Sequence, residues 1–258
     1  MENSVFCVKN LSFSYGKHQV IKNMNFEVEK GKVTTLIGAN GCGKSTLFHL
    51  MTRNLKPDQG EILLEGVDIS QLKLKEFARK AAIVHQYNTA PNDLTVEKLV
   101  SYGRVPYHRI GKLRETEEEE EKIKWAMEIT NTWKYKDKPV STLSGGQKQR
   151  VWIAMSLAQD AGILFLDEPT TYLDVRYQLQ ILKLIRRLNQ EYGITVIMVL
   201  HDINQSLYYS DNILAMKDGK IIAQGRPQEV ISTQLIKEVY DVDLNLIYVD
   251  NVPFVIPV

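Results

Sequence analysis

A glycine-rich segment near the N-terminus has the residue types that bind phosphate. It reads Gly38-Ala39-Asn40-Gly41-Cys42-Gly43-Lys44-Ser45 and continues into Thr46; we call residues 38–46 the phosphate loop. Glycines let backbone N–H groups turn toward phosphate oxygens, the lysine adds a positive charge, and the serine hydroxyl can bind Mg²⁺. An apolar strand is expected at 33–37 and a helix at 45–51, which would place the phosphates at a helix N-terminus. The pattern predicts a nucleoside triphosphate site with Cys42 as a spacer, and it leaves kinases, GTPases and ATPases open.

Two acids and a histidine follow other apolar stretches. Asp167 and Glu168 come directly after residues 163–166, and His201 comes after residues 196–200. Ligands of open parallel sheets lie beyond the carboxyl ends of the strands, so these side chains are expected to face the phosphate loop. Because successive strand residues point in opposite directions, we expect Asp167 to hold Mg²⁺ through water and Glu168 to deprotonate an attacking water. His201 would contact the γ-phosphate; a structural ion pair and a structural histidine are the alternatives.

A second candidate anion site lies far downstream of the phosphate loop. Leu143-Ser144-Gly145-Gly146-Gln147 opens a predicted helix that continues through residues 150–157. A serine before two glycines places a hydroxyl and accessible N–H groups at a helix N-terminus, which favours an anion. Because the chain already has one phosphate loop, this second site is explained if it contacts a nucleotide held by a partner.

The composition limits the classes of partner. The 258 residues are 44% hydrophobic, with 32 Lys+Arg against 31 Asp+Glu, and this balance argues against nucleic acid as the main partner. Cys7 and Cys42 lack metal-ligand spacing, which favours a reducing, cytosolic compartment. The sequence contains no recognisable signal peptide and no apolar run long enough to span a bilayer, so we expect no membrane crossing by this chain alone. The glutamate run 117–121 is expected to be a solvated helix face or a first helical turn.

The order of elements predicts a mixed α/β domain. Alternating apolar and polar residues predict antiparallel strands at 5–15 and 20–28, and further short strands are expected at 61–64 and 68–69. Residues 95–158 have helical character. Apolar strands return at 162–166 and 195–200, on either side of a helix at 175–192 with inward residues Leu179, Leu182, Ile185 and Leu188. This alternation predicts a mainly parallel sheet buried on both faces, and residues 246–258 read as a short hairpin or edge extension.

Taken together, these motifs closely resemble the ABC-transporter ATPases over essentially the whole chain. Tyr15 resembles the aromatic residue that stacks on adenine, and Gln86 resembles the glutamine that contacts Mg²⁺ and links the core to a helical insert. Tyr172-Leu173-Asp174 resembles the loop that crosses the dimer interface, which places Asp174 among the nucleotide-binding residues, and His201 resembles the switch histidine. The resemblance implies catalytic roles for Lys44, Glu168 and His201, with ATP and Mg²⁺ as cofactors.

The resemblance also implies an architecture and an assembly. The fold would be a P-loop NTPase core with a mainly parallel sheet, an antiparallel β subdomain and an inserted α-helical subdomain. Residues 1–86 and 160–227 would form the nucleotide-binding core, 87–159 the helical subdomain and 228–258 a C-terminal extension. Two copies of the chain would bind two ATP molecules head to tail, each between one phosphate loop and the other copy's Ser144 segment.

Several local segments are similar to the subfamily that imports ferric siderophores, haem and cobalamin. They are residues 103–109 (Gly-Arg-Val-Pro-Tyr-His-Arg), residues 201–206 (His-Asp-Ile-Asn-Gln-Ser), and Leu173-Asp174-Val175 with Tyr177-Gln178. The alternative is that these segments are packing details shared by several kinds of importer. We expect the ATPase subunit of a ferric siderophore importer on the cytoplasmic face of the membrane, with two transmembrane permease subunits and an extracytoplasmic binding protein. The helical insert that contains residues 103–109 would present the docking surface for the permease. Haem or cobalamin import and a soluble, non-transport ABC ATPase remain open.

Overall fold

A computed structural model describes residues 3–108 and 116–257. Arg109 of the stretch 103–109 and residues 110–115 of the expected helical segment 95–158 lie outside the described residues. Packing divides the chain into two compact units. The first unit comprises Met1–Leu72 and Thr195–Val258, and the second comprises Lys73–Ile194. The predicted helical segment 87–159 lies within the second unit.

The secondary structure elements are numbered along the chain. The first segment contains strands β1 (Ser4–Tyr15), β2 (His18–Glu29) and β3 (Val33–Gly38), helix α1 (Lys44–Met51), and strands β4 (Gln59–Leu64) and β5 (Val67–Asp68). The second unit contains α2 (Leu74–Lys80), β6 (Ala81–Val84), α3 (Val96–Ser101), the 3₁₀ helix Tyr102–Tyr107, α4 (Glu117–Ile129), the 3₁₀ helices Trp133–Tyr135 and Val140–Thr142, α5 (Gly145–Ala158), β7 (Ile163–Asp167) and α6 (Val175–Tyr192). The last segment contains β8 (Thr195–Val199), α7 (Ile203–Tyr209), β9 (Asn212–Lys217), β10 (Lys220–Gly225), α8 (Pro227–Val230), α9 (Thr233–Tyr240), β11 (Leu244–Val249) and β12 (Val252–Pro257).

The first unit contains two kinds of sheet. β1 pairs antiparallel with β2 and β4, and Phe6 of β1 lies opposite Val28 on one side and Leu64 on the other. β3 is buried along its whole length and pairs in parallel with both β8 and β9. A strand that is apolar on both faces needs cover on both faces, as parallel sheets have. α1 packs against β2 and β3, so the loop between β3 and α1 has a rigid frame.

The C-terminal part of the first unit packs onto the back of this parallel sheet. α9 and the hairpin of β11 and β12 share one apolar cluster with β3, α7 and β9. Its buried members are Ile37, Leu207, Ile213, Ala215, Ile231, Leu235, Ile236, Val239 and Val255. The predicted C-terminal hairpin is therefore confirmed, and its strands pair from Leu244 opposite Pro257 to Val249 opposite Val252.

The second unit combines a parallel strand pair with a group of packed helices. β6 pairs in parallel with β7, from Ala81 opposite Ile163 to Val84 opposite Leu166. α3, α4 and α5 pack against one another, and α6 packs against α5. Thr116 and Glu119 form a reciprocal capping box at the start of α4, which fixes where this helix begins.

Most of the predicted elements are present, and three details differ. The mainly parallel sheet, the antiparallel strands and the helix at 175–192 are confirmed. Leu179 is 38% exposed, and the inner face of α6 instead uses Ile181 beside Leu182 and Ile185. Glu119 is buried within the glutamate run, because its carboxylate accepts the Thr116 N–H of the capping box. The hairpin of β9 and β10 was not predicted, although Asp218-Gly219 between two apolar stretches is a typical two-residue hairpin turn.

Within residues 3–108 and 116–257, no helix is both long enough and apolar enough to cross a bilayer.

Candidate functional site

The phosphate loop connects the end of β3 to the start of α1. Lys44 is buried, and its ammonium group donates to the carbonyl oxygens of Gly38 at 2.7 Å and Ala39 at 3.0 Å. These bonds curl the loop around the lysine. A buried ammonium group needs such partners, and at this position it also provides the positive charge that a polyphosphate requires.

Two glycines of the loop are required by the backbone. Gly43 has φ 108°, a region that side chains other than glycine rarely adopt, and it directly precedes α1. A Cβ atom on Gly38 would lie 2.6 Å from both the Met216 carbonyl oxygen and the Cys42 sulfur. The loop therefore remains bare backbone beside a lysine and a helix N-terminus. This donor set fits a triphosphate.

Cys42 anchors the loop from its inner side. Its carbonyl oxygen accepts the N–H of Gly219 at 3.0 Å, which ties the loop to the turn between β9 and β10. Burial raises the pKa of the Cys42 thiol above its ordinary value. The thiol is therefore neutral at physiological pH, in keeping with the predicted role as a spacer. Asn40, Gly41 and Ser45 are exposed, and Thr46 is half-buried.

Tyr15 and His201 also belong to the first unit. Tyr15 ends β1 with 52% of its surface exposed, and its ring makes an edge-to-face contact with Phe13 at 4.9 Å between centroids. An exposed aromatic ring at a strand end can stack on a base. His201 is exposed between β8 and α7, and the next residue, Asp202, caps α7 by accepting the Gln205 N–H at 2.8 Å.

The acid pair at the end of β7 belongs to the second unit. Asp167 is the buried last residue of the strand. Glu168 follows with φ 49°, so this left-handed backbone, rather than strand alternation, determines where its carboxylate points. Glu168 Oε2 accepts from Gln86 Nε2 at 2.5 Å and from Thr171 Oγ1 at 3.1 Å. The structure thus brings Gln86 and Glu168 together.

A tyrosine pair makes a second contact between the same two segments. The hydroxyl groups of Tyr87 and Tyr172 lie 2.8 Å apart, and both side chains are exposed. Tyr87 follows Gln86 directly, and Tyr172 begins the loop that contains Asp174. Neither tyrosine hydroxyl had a role in the sequence interpretation, because a contact between positions 87 and 172 leaves no local pattern.

Ser144 caps α5 as its sequence pattern indicates. Its hydroxyl accepts the Gln147 N–H at 3.4 Å, and Gln147 Oε1 accepts the Ser144 N–H at 3.0 Å. Gln147 Nε2 also donates to Tyr135 Oη at 3.0 Å, which secures this end of the helix. Ser144 and Gly145 are exposed, so the hydroxyl and the N-terminal end of α5 are accessible to an anion.

The Ser144 segment lies against the loop at 172–174 and the start of α6. A Cβ atom added to Gly146 would lie 2.4 Å from the ring of Tyr177, and one added to Gly145 would lie 3.5 Å from Leu173 Cδ2. Asp174 is the N-cap of α6, since its carboxylate accepts the Tyr177 N–H at 3.0 Å. Asp174 therefore has a capping role in addition to its predicted role in nucleotide binding.

The family model described as "ABC transporter" matches residues 21–171 of this chain. This range includes the phosphate loop, Gln86, the Ser144 segment and the acid pair. The chain belongs to the ABC transporter family. As a member of this family it is an ATP-binding subunit that hydrolyses ATP.

Individual relatives of this ABC subunit match nearly its whole length. The iron(3+)-hydroxamate import ATP-binding protein FhuC of Bacillus subtilis (strain 168) is 44% identical over 239 residues, which cover 93% of this chain and 88% of FhuC. The ferric enterobactin transport ATP-binding protein FepC of Escherichia coli (strain K12) is 42% identical and covers 96% of this chain and 92% of FepC. Among solved structures, the dimeric bacterial ABC transporter cassette MJ0796 is 28% identical with a TM-score of 0.75, covering 86% of this chain and 98% of that one.

Part of the stretch that resembles siderophore importers is packed inside the ABC subunit. A Cβ atom on Gly103 would lie 2.2 Å from the Met155 carbonyl oxygen. Arg104 is buried, donates to the Ala158 carbonyl oxygen at 2.7 Å and stacks 4.1 Å from the Tyr107 ring centroid. These two positions therefore fix the stretch onto α5. Val105 is 50% exposed and is available to a partner.

Proposed function

We propose that this ABC subunit powers the import of ferric siderophores. The observation that carries the proposal is the match to FhuC, with 44% identity over 93% of this chain. FepC, a ferric enterobactin transport ATP-binding protein, supports the same substrate class at 42% identity. The two relatives handle different iron chelates, so the proposal is for the class and not for one siderophore.

We further propose that the site residues divide the chemistry between them. Lys44 neutralises phosphate charge from within the phosphate loop, and Ser45 with Asp167 would hold Mg²⁺, which supplies Lewis-acid stabilisation when bound. Glu168 holds a carboxylate beside Gln86, where it can accept a proton from water. His201 follows the buried strand β8. As the residue that resembles the family's switch histidine, it would contact the terminal phosphate of ATP.

The second site at Ser144 supports a head-to-tail dimer. One chain has one phosphate loop, and its capped and exposed α5 N-terminus is a separate anion site. In the proposed dimer, the Ser144 hydroxyl and Gly145 N–H of one copy would contact the ATP held by the partner copy. Asp174 would lie at the interface, because its loop packs beside this segment. The dimeric MJ0796 cassette supports the same arrangement.

Docking to two permease subunits is proposed for the exposed part of residues 103–108. In this account the protein is peripheral on the cytoplasmic face of the membrane, and an extracytoplasmic binding protein delivers the iron chelate to the permease. Haem or cobalamin import uses the same site chemistry and differs only in the permease. A soluble, non-transport ABC ATPase is the second candidate, and it predicts no membrane partner.

Co-purification from the host's own membranes tests the permease partnership. The tagged wild-type chain, extracted in mild detergent, is expected to bring down a polytopic permease identified by mass spectrometry. Val105→Asp places a charge on the proposed docking surface and should lose the permease. Val67→Asp is the matched control, since Val67 is 44% exposed on β5 and Val105 is 50% exposed. Recovery of soluble partners alone would overturn the importer assignment and keep the ATPase.

A further inference from the structure

The C-terminal segment, defined here as residues 227–257, reaches the inner side of the nucleotide site. Ile236 and Val239 of α9 and Val255 of β12 lie in one buried apolar cluster with Ile37, the residue before the phosphate loop. The same cluster contains Leu207 of α7. The segment thus packs at once against the strand that carries the phosphate loop and the helix that follows His201.

Tyr240 makes a specific polar contact with the phosphate loop. Its hydroxyl oxygen accepts the backbone N–H of Gly38 at 3.2 Å. A buried N–H group without a partner is costly, so this hydroxyl fixes the first residue of the loop in its position. The contact joins residues 202 positions apart in sequence, and it is made by the last residue of α9.

The hairpin makes a second set of contacts with α7. The Asn204 side chain donates to the Val255 carbonyl oxygen at 2.9 Å and accepts the Val255 N–H at 2.7 Å. An amide that bonds both groups of one residue imitates a neighbouring strand and leaves little freedom of position. Tyr208 also contacts the Phe254 ring, with 6.4 Å between centroids. Since His201 lies just before α7, the hairpin constrains the helix that follows this histidine.

We propose that the C-terminal segment is a positioning element of the nucleotide site, with Tyr240 setting the phosphate loop and Asn204 joining the hairpin to the helix behind His201. Neither residue touches the reacting atoms in this proposal; each acts through a neighbour. The two contacts should have separable effects. Tyr240 governs the order of the loop and hence ATP affinity, whereas Asn204 governs the placement of His201 and hence turnover. The proposal concerns ATP binding and hydrolysis and does not depend on which substrate is transported.

Tyr240→Phe tests the first contact, because it removes only the hydroxyl. Without ATP, amides of residues 38–43 should exchange faster with deuterated solvent in the variant. The dissociation constant for ATP, measured by calorimetry, should rise roughly fivefold, the equivalent of about 1 kcal/mol for one hydrogen bond. Tyr248→Phe removes a hydroxyl from an exposed tyrosine of the same segment and should leave both quantities unchanged.

Asn204→Ala tests the second contact. In the intact transporter complex, kcat for ATP should fall by roughly three- to tenfold at unchanged KM, as expected when a positioned group loses its support. Asn204→Gln keeps both the donor and the acceptor of the side-chain amide and should recover part of kcat. Wild-type exchange and wild-type ATP affinity in Tyr240→Phe would overturn the proposal. So would a uniform loss of stability in both variants with no difference between their effects on KM and kcat.

Discussion

At the scale of single residues, the proposed base occupies a backbone conformation that few side chains adopt. Glu168 has φ 49°, and its carboxylate accepts bonds from Gln86 and Thr171. A strained backbone conformation of this kind persists only where surrounding contacts hold it in place. Such conformations are concentrated at functional sites. β7 ends at Asp167, so the two adjacent acids leave the strand in different conformations. This difference supports separate roles for the pair in metal binding and proton transfer.

Glu168→Gln should separate ATP binding from hydrolysis. The amide oxygen of the new side chain can still accept from Gln86 and Thr171, but it cannot take a proton from water. We expect ATP to bind, hydrolysis to slow by roughly 100-fold or more, and the dimer to accumulate in size-exclusion chromatography with ATP. Glu191→Gln, on the exposed face of α6, is the control and should hydrolyse ATP normally. Rapid steady-state hydrolysis by Glu168→Gln would remove this residue from the role of base.

The ionisation of Tyr240 predicts a specific loss of stability in alkali. Burial raises the pKa of this tyrosine from its ordinary 10.0 to about 12 in the folded protein. Because the folded state favours the neutral phenol, its contribution is complete below pH about 10 and is lost as the pH rises toward about 12. The free energy of unfolding should fall over this range by up to roughly 2–3 kcal/mol. Tyr240→Phe should lack this part of the alkaline transition in urea titrations, and an identical pH dependence in the two proteins would contradict the assignment.

At the scale of elements, two loops are joined beside the acid pair. The segment after β6 contains Gln86 and Tyr87, and the segment after β7 contains Glu168 and Tyr172. The bonds from Gln86 to Glu168 and between the tyrosine hydroxyls connect them at two points. One exposed hydrogen bond contributes little to stability, but two bonds can restrict the relative position of two loops. The position of Glu168 should therefore depend on both tyrosines.

A double-mutant cycle on Tyr87→Phe and Tyr172→Phe measures this dependence. Each single variant removes one end of the same bond, so each should lower kcat to a similar extent, and the double variant should be no slower than either. ATP affinity should not change, because neither tyrosine belongs to the phosphate loop. Tyr192→Phe on α6 is the control for loss of a partly exposed hydroxyl. Additive losses in the double variant would show that the two hydroxyl groups act independently.

The sequence predicted local features of these elements better than distant contacts. The phosphate loop, the Ser144 cap and the helix at 175–192 each depend on residues within a few positions, and the structure contains all three as elements. The hydrogen bond between Tyr240 and Gly38 depends on the packing of α9 against β3. No local periodicity of apolar residues in the sequence predicts that packing. Leu179 fits the apolar spacing of α6 yet is exposed, because the neighbours of a helix decide which part of an apolar stripe is covered.

In the whole molecule, ATP hydrolysis would be connected to a transported substrate through a permease partner. The chain would contribute the proposed catalytic residues, and its permease would contribute the route for the iron chelate. Exposed Val105 lies on the proposed docking stretch, which buried Gly103 and Arg104 fix to α5. The chemistry at the phosphate loop is shared by the family, so substrate choice has to be tested in cells that contain the permease.

Uptake of a radioactive ferric siderophore by host cells tests directly whether this subunit powers siderophore import. Cells lacking this gene, grown under iron limitation, should lose uptake of at least one ferric siderophore and recover it with the wild-type chain. Lys44→Ala and Glu168→Gln should not restore uptake at equal protein levels, because ATP binding fails in the first and hydrolysis in the second. Unchanged siderophore uptake in the deletion strain, with loss of haem or cobalamin uptake instead, would contradict the proposed substrate class. Full restoration by Glu168→Gln would contradict hydrolysis as the source of power.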